Sequence, residues 1–404
     1  MKLCRFLSLL ALMPIAFAEE APRKWTNTTG QSFEGSFVSA DDRKVIIKRA
    51  DGKVFEVELG KLSPDDRAYV EKAAKNDPGA GTPLFREGDY RAKMLAGYVG
   101  NQPNFNAPWP KDAGITTEPT IQTIDERPDE KIFIYESDHF RFQSNVVLRP
   151  SLISKVAAMF EASYQLHLAL PLNNRRTRSP KAEKLRAFLY ETKEQYFAAG
   201  GPPKSNGVYM GGEDKFMVPL DGLGVQKVGS GYMFDYKGDF HTVYHEITHL
   251  LWADIGRMAG TWMSEGFAEF VACAPYSNGR FSFTKQPSYA LEYATAYGKK
   301  DGGGRALGDE FTMPKLEEIL NWSQPKFYEN GNKNYGFGLI LVYYFILMDG
   351  EGDAANFKAC IKACQDGKSP SEALAVLMAG KTYEELEAAV TAAYRRKGIK
   401  ISFE

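Results

Sequence analysis

The chain has 404 residues, 44% of them hydrophobic and 13% aromatic, with 50 basic side chains against 51 acidic ones and a formal net charge of -1. That composition lies outside the range of disordered chains and suffices for two or three packed domains. The near-neutral balance argues against nucleic acid or an anionic membrane as the main partner, since both select clustered positive charge.

Residues 1–18 have the form of a signal peptide. Lys2 and Arg5 give a basic start, Phe6 to Phe17 an apolar stretch, and Ala16-Phe17-Ala18 a small-residue cleavage site. The apolar stretch contains Pro14 and is shorter than the ~20 residues a membrane helix needs. Cleavage after Ala18 is therefore expected. It leaves a secreted or periplasmic protein with no stable membrane span and takes the net charge from -1 to -3 by removing Lys2 and Arg5. Three cysteines then remain, Cys273, Cys360 and Cys364, an odd number that does not suit a disulfide scaffold. Cys360 and Cys364, four apart in a helical stretch, read as half-buried apolar residues.

Residues 22–76 read as a small β module followed by a helix. Strand-like runs at Phe33–Val38, Val45–Lys48 and Val54–Leu59 are joined by polar turns, with Asp51-Gly52 as a hairpin signal. Ser63-Pro64-Asp65-Asp66 then offers a helix cap, a proline in the first turn and acidic residues at the positive helix end. Arg23-Lys24-Trp25-Thr26, the Val54–Leu59 strand and Lys61-Leu62-Ser63-Pro64-Asp65-Asp66 resemble the homology domain first described in an endocytic adaptor. That resemblance implies a small SH3-like β-barrel and, by analogy with the adaptor, a peptide ligand for it.

Residues 77–130, with Pro and Gly at intervals and little periodicity, read as a linker draped over the next domain. That second domain, 131–404, opens with strands at Lys131–Tyr135 and His139–Phe142. It continues with a helix whose apolar residues Leu152, Val156, Met159, Phe160, Tyr164 and Leu168 recur at three and four, and then a buried strand, Leu185–Tyr190. After a Gly-rich stretch, Gly200–Gly212, comes Lys215–Leu220, which Pro219 assigns to a sheet edge.

The next helix, with Asp239 as its candidate N-cap, carries His245-Glu246-Ile247-Thr248-His249. Residues four apart share a helix face, so the two imidazoles can converge on one metal ion while Glu246 serves as general base. Downstream, Trp262-Met263-Ser264-Glu265-Gly266-Phe267-Ala268-Glu269-Phe270 offers Glu265 as third ligand. Gly266 and Ala268 are expected to let this helix approach the motif helix closely, and Glu269, one turn on, to hold a ligand histidine from behind. Only helices and loops are expected beyond the motif, at 262–275, 314–321, 335–348, 354–364, 370–379 and 382–396. Capping boxes open the last two at Ser369 and Thr382. Mixed strands and helices first and helices afterwards indicate an α+β catalytic domain.

The stretch Trp262–Phe270 resembles the gluzincins, metallopeptidases in which HExxH is completed by a downstream Glu, and residues 131–396 resemble their bacterial peptidase-MA-like branch. The resemblance implies a zincin-type fold, Zn2+ on His245, His249 and Glu265, Glu246 as base, and a peptide or protein substrate cleaved by metal-activated water. It also implies an oxyanion donor on a later helix, for which Tyr335 of Asn334-Tyr335-Gly336-Phe337-Gly338 is the candidate. The amine-binding segment of the aminopeptidases is not matched. Met210-Gly211-Gly212-Glu213-Asp214-Lys215 stands in its place, leaving Glu213 and Asp214 as candidates for an amino group and Phe216 and Val218 for strand addition to a peptide. His241 shares the motif face, but its place near the helix start weighs against contact with the site; His139 and His167 read as structural. Two rival readings stand: a zinc hydrolase acting on a non-peptide bond, and a non-catalytic envelope or peptide-binding protein using the barrel.

Overall fold

Trp25, Phe37, Val45 and Ile47 turn one face of a small sheet into a core. In the computed structural model, which describes residues 22–404 except 41–43, 50–53, 77–104, 173, 175–183, 204, 212–213, 257–258 and 297–303, these side chains sit on strands β1 (Arg23–Thr26), β2 (Ser32–Ala40) and β3 (Lys44–Lys48). With β4 (Val54–Glu58) they form an antiparallel sheet in the order β1-β2-β3-β4. Helix α1 (Pro64–Asn76) brings Val70 onto that core, and its start is capped as the sequence indicates, the Asp66 N–H donating to Ser63 Oγ at 3.2 Å. Asp66 is buried, so its charge needs partners. The Arg23 guanidinium and the Thr26 N–H supply them, each at 2.6 Å, and tie the helix to β1. The sheet is open among the described residues, without a β1–β4 pairing to close a barrel. Arg23–Thr26 carries no strand signal in the sequence because four residues are too few to display alternation. Asp51-Gly52 and residues 1–18, read above as a signal peptide, lie outside the described residues.

By its contacts the chain divides into two units, Met1–Tyr90 and Arg91–Glu404. The second is built on a six-stranded mixed sheet in the order β10-β11-β9-β8-β7-β6. Its strands are β6 (Gln122–Arg127), β7 (Ile132–Glu136), β8 (Phe140–Ser144), β9 (Leu185–Tyr190), β10 (Val208–Met210) and β11 (Lys215–Pro219). Helix α2 (Pro150–Ala169) packs Phe160 edge-on against Phe140, Phe142 and Phe216, fixing it to the sheet.

Two expectations are corrected here. The stretch read as a linker is part of the second unit from residue 105 onward, because β6 pairs with β7 and a short strand β5 (Asp112–Gly114) pairs with a strand from beyond the motif. Polar, half-exposed edge strands carry no hydrophobic pattern to read. The Lys215–Leu220 run is interior, parallel to β9 on one side and antiparallel to β10 on the other. Pro219 is tolerated at its last residue, and the edge is β10, inside the Gly-rich stretch.

A hairpin of β12 (Val225–Val228) and β13 (Gly231–Phe234) leads into a helix-rich half. After α3 (Lys193–Ala198), which precedes the hairpin, the helices are α4 (His241–Gly256), α5 (Thr261–Ala272), α6 (Gln286–Thr295), α7 (Leu316–Ile319), α8 (Gln324–Tyr328), α9 (Gly331–Leu347), α10 (Ala355–Gln365), α11 (Pro370–Met378) and α12 (Tyr383–Arg395). Both expected capping boxes form, at Ser369 and Thr382. The expectation of helices and loops alone beyond the motif does not hold. Strands β14 (Tyr276–Ser277) and β15 (Arg280–Ser282) extend β5, and β16 (Glu310–Met313) pairs in parallel with β17 (Lys400–Phe403). Each is too short to show a period, and β15 and β16 find partners far along the chain. No helix among the described residues is long and apolar enough to cross a membrane.

Candidate metal centre

Helical pitch places His245 and His249 on one face of α4, where the Asp239 carboxylate accepts the His241 N–H at 3.0 Å. Helix α5 lies against α4 and presents Glu265 to both rings. His245 Nε2 and His249 Nε2 are 3.0 Å apart, and Glu265 Oε2 is 3.1 Å from the first and 3.0 Å from the second. Tetrahedral zinc with bonds of ~2.0–2.1 Å separates its ligands by ~3.3–3.4 Å, within a few tenths of this triangle. Three converging lone-pair atoms in a buried place repel one another unless a metal ion or protons lie among them.

The protonation behaviour of the site supports that reading. Burial alone lowers the His245 pKa, but Glu265 and Glu269 carry it up to about 10, so this corner of the fold demands positive charge. Burial opposes ionisation of Glu265 as well, yet His249 and His245 hold its carboxyl well below the usual range. The donor set of two imidazoles and one carboxylate is the one catalytic zinc takes when a position is left for water. The residues fit the ion.

Glu246 behaves differently. Burial, with Glu265 nearby, raises its carboxyl pKa, while the two histidines and the Tyr209 backbone pull the other way. Its Oε2 accepts the Tyr209 N–H at 2.8 Å, so the edge strand β10 sets its orientation. A carboxylate with enhanced proton affinity beside a cation site is suited to general-base work.

Behind the triangle lies a second layer. Glu269, fully buried, places Oε1 at 2.8 Å from His245 Nδ1 and Oε2 at 3.5 Å from His241 Nε2. Both are ion-pair distances, although neither nitrogen is aligned for a hydrogen bond. The Arg305 guanidinium grips the same carboxylate with two bonds, Nε to Oε2 at 2.8 Å and Nη2 to Oε1 at 2.7 Å. His241, His245 and Glu269 also lie close enough together to suggest a metal group. The guanidinium across both oxygens of Glu269 opposes a second cation there. His241 is thus a partner of Glu269, contrary to the expectation from its position near the helix start, and its ring stacks on Tyr293 at 3.9 Å.

Two tyrosines approach from the other side. Tyr335 lies in the second turn of α9, since that helix begins at Gly331 and not at Tyr335 itself. Its ring centre is 5.7 Å from that of His245, and the Arg305 guanidinium lies over its face at 4.6 Å. Tyr328, at the end of α8, donates its hydroxyl to Glu265 Oε1 at 2.7 Å. Burial and the neighbouring Glu265 raise the pKa of both phenols, keeping them protonated donors. No motif singles out Tyr328 or Arg305.

Gly266 does not serve the contact expected of it. A Cβ there would lie 2.3 Å from the Gly338 carbonyl oxygen, so the close approach is between α5 and α9. The α4–α5 contact is tight elsewhere, at Gly256 against Ser264.

The substrate candidates fare differently. Phe216 and Val218 are fully buried on an interior strand and belong to the core, which corrects their reading as peptide contacts. Asp214 is exposed, at a positive φ of 49°, and its carboxylate accepts the Tyr209 hydroxyl at 2.7 Å. Glu213 lies outside the described residues. His167 is buried between Thr248 and Asn174, and burial pushes its pKa down to about 3, a neutral core histidine. Cys273, Cys360 and Cys364 are free and buried.

Residues 18–77 match SLA1 homology domain 1, SHD1. The match places an adaptor-like homology domain at the first unit and does not extend to the candidate metal centre. No curated protein matches the chain. In the SHD1 domain, Arg23 stacks over Tyr69 at 3.6 Å besides pairing with Asp66, so the motif residues at both ends of the module meet in one cluster. Phe33 and Phe55 pair on its surface, Phe55 being 38% exposed.

Proposed function

We propose that the second unit is a zinc-dependent peptidase of gluzincin type, with a zincin-type fold, and that the SHD1 domain, in its finer description an SH3-like barrel, recruits a protein or peptide partner. The observation that carries the peptidase reading is the triangle of His245 Nε2, His249 Nε2 and Glu265 Oε2, with Glu246 beside it. A zinc ion held by these three groups supplies Lewis acidity, acidifying a water and polarising a carbonyl. Glu246 takes the proton released when water attacks the peptide carbonyl and passes it to the departing amine. The Tyr209 N–H keeps that carboxylate turned toward the reacting groups. Tyr335, kept protonated, donates to the oxygen on which negative charge develops. Glu269, fixed by Arg305, holds the His245 ring in place.

The test is metal analysis of the purified protein together with digestion of a peptide library by wild type and Glu246→Gln. One zinc per chain, with cleavage lost in the variant while the metal is retained, supports the proposal; absence of bound metal sinks it. Bound zinc without cleavage of any peptide favours a scaffold role, in which the SHD1 domain carries the function.

A further inference from the structure

Glu265 has two carboxylate oxygens in different situations. Oε2 faces the two imidazoles at 3.1 and 3.0 Å, while Oε1 accepts the Tyr328 hydroxyl at 2.7 Å. The hydroxyl reaches the ligand from 63 residues further along the chain. Tyr328 is placed unusually for a tyrosine that merely packs, because the residue is 43% exposed. Its hydroxyl points inward to a carboxylate that is itself only 6% exposed. Its neighbours Phe327 and Tyr335, at 5.6 and 6.3 Å between ring centres, hold the ring without burying it.

We infer that Tyr328 is a positioning residue that reserves Glu265 Oε2 for the cation and withholds Oε1 from it. The inference rests on the zinc reading proposed above. A carboxylate with both oxygens free can bind a metal through one or both, and binding through both fills a position otherwise left for water or substrate. A phenol donating to one oxygen removes that choice, because turning Oε1 toward the metal breaks a charge-assisted hydrogen bond to a buried carboxylate. Tyr328 and Tyr335 then differ in role: the first acts on the ligand, the second on the substrate.

The experiment compares wild-type full-length protein with Tyr328→Phe, a change that removes one oxygen and leaves the half-exposed ring in place. Zn2+ affinity is measured by chelator competition, the visible spectrum is recorded with Co2+ in the site, and the thermal midpoint of each metal-free protein is taken as a control. The expected result is zinc held ~10–100-fold less tightly in the variant. It is accompanied by weaker Co2+ visible bands, as higher coordination gives, with metal-free midpoints that agree. Unchanged affinity and an unchanged Co2+ spectrum overturn the inference even if activity falls, since the hydroxyl would then be acting elsewhere. A wild-type protein that binds neither ion overturns the zinc reading itself, and the inference with it.

Discussion

Arg305 and Glu269 meet through two nearly equal hydrogen bonds, of 2.8 and 2.7 Å, across 36 residues of chain. Glu269 is fully buried, and its other neighbours are histidines that carry charge only when protonated. Burial disfavours its charged form, yet His241, His245 and Arg305 together hold its carboxyl far below the ordinary range. Arg305→Leu is expected to destabilise the metal-free protein by on the order of 3 kcal/mol, because it removes both aligned hydrogen bonds from a buried carboxylate. Adding Glu269→Leu is expected to recover part of that loss. Urea denaturation of both variants at neutral pH checks it, and a double variant no more stable than the single one would rule the account out.

The α5–α9 contact gives a second prediction. Gly266→Ala puts a methyl 2.3 Å from the Gly338 carbonyl oxygen, and Gly338→Ala puts one 2.8 Å from that of Trp262. Each obstacle is backbone and cannot turn aside. Each substitution is expected to cost ~1–3 kcal/mol despite alanine's better helix propensity. Thermal or chemical melts of both variants measure it, with stability at or above wild type as the contrary result.

A third prediction concerns acid. Glu161 accepts the Ser137 hydroxyl at 2.6 Å and the His139 N–H at 2.9 Å, with His139 Nδ1 2.6 Å from its other oxygen. Burial alone raises its pKa, but these contacts prevail and hold it below the ordinary 4.5. A carboxyl depressed on folding stabilises the protein above its unfolded pKa, and that contribution is lost as pH falls through the folded value. Ser137→Ala is therefore expected to narrow the gap in stability between neutral pH and pH values below 4.5. Denaturant midpoints taken from about pH 7 to about pH 3 test this; parallel curves for variant and wild type would exclude Glu161 as the source.

Tyr335→Phe supplies a fourth. Loss of one oxyanion donor costs about 3 kcal/mol of activation, roughly a hundredfold in kcat, with little change in KM or in bound metal. Steady-state kinetics on a peptide found by the library digest provide the measurement. Full turnover in the variant would remove Tyr335 from the mechanism.

The near part of the site was legible because helical pitch is fixed. His245, Glu246 and His249 lie within one turn, and Glu265 and Glu269 within the next helix, so their faces follow from spacing alone. His241 obeyed the same pitch but reaches only Glu269, a distinction of depth that periodicity does not encode. Tyr328 and Arg305 were out of reach for another reason. Their contacts span 63 and 36 residues, and a lone Tyr or Arg in a loop-rich stretch looks like any other. In the sheet, β7, β8 and β9 were readable as apolar runs, whereas the edge strands β6 and β10 were not. An edge strand is specified by its neighbour more than by its own residues.

The glycine crossing also acts as a fulcrum. It lies one residue from Glu265 and three from Tyr335, on the two helices that carry them. At 1.5 Å of rise per residue, the lever arms are ~1.5 and ~4.5 Å, so rocking one helix on the other by about 10° moves the Tyr335 backbone by less than ~1 Å. A rocking of that size would thus leave the spacing between the Glu265 and Tyr335 backbones nearly unchanged.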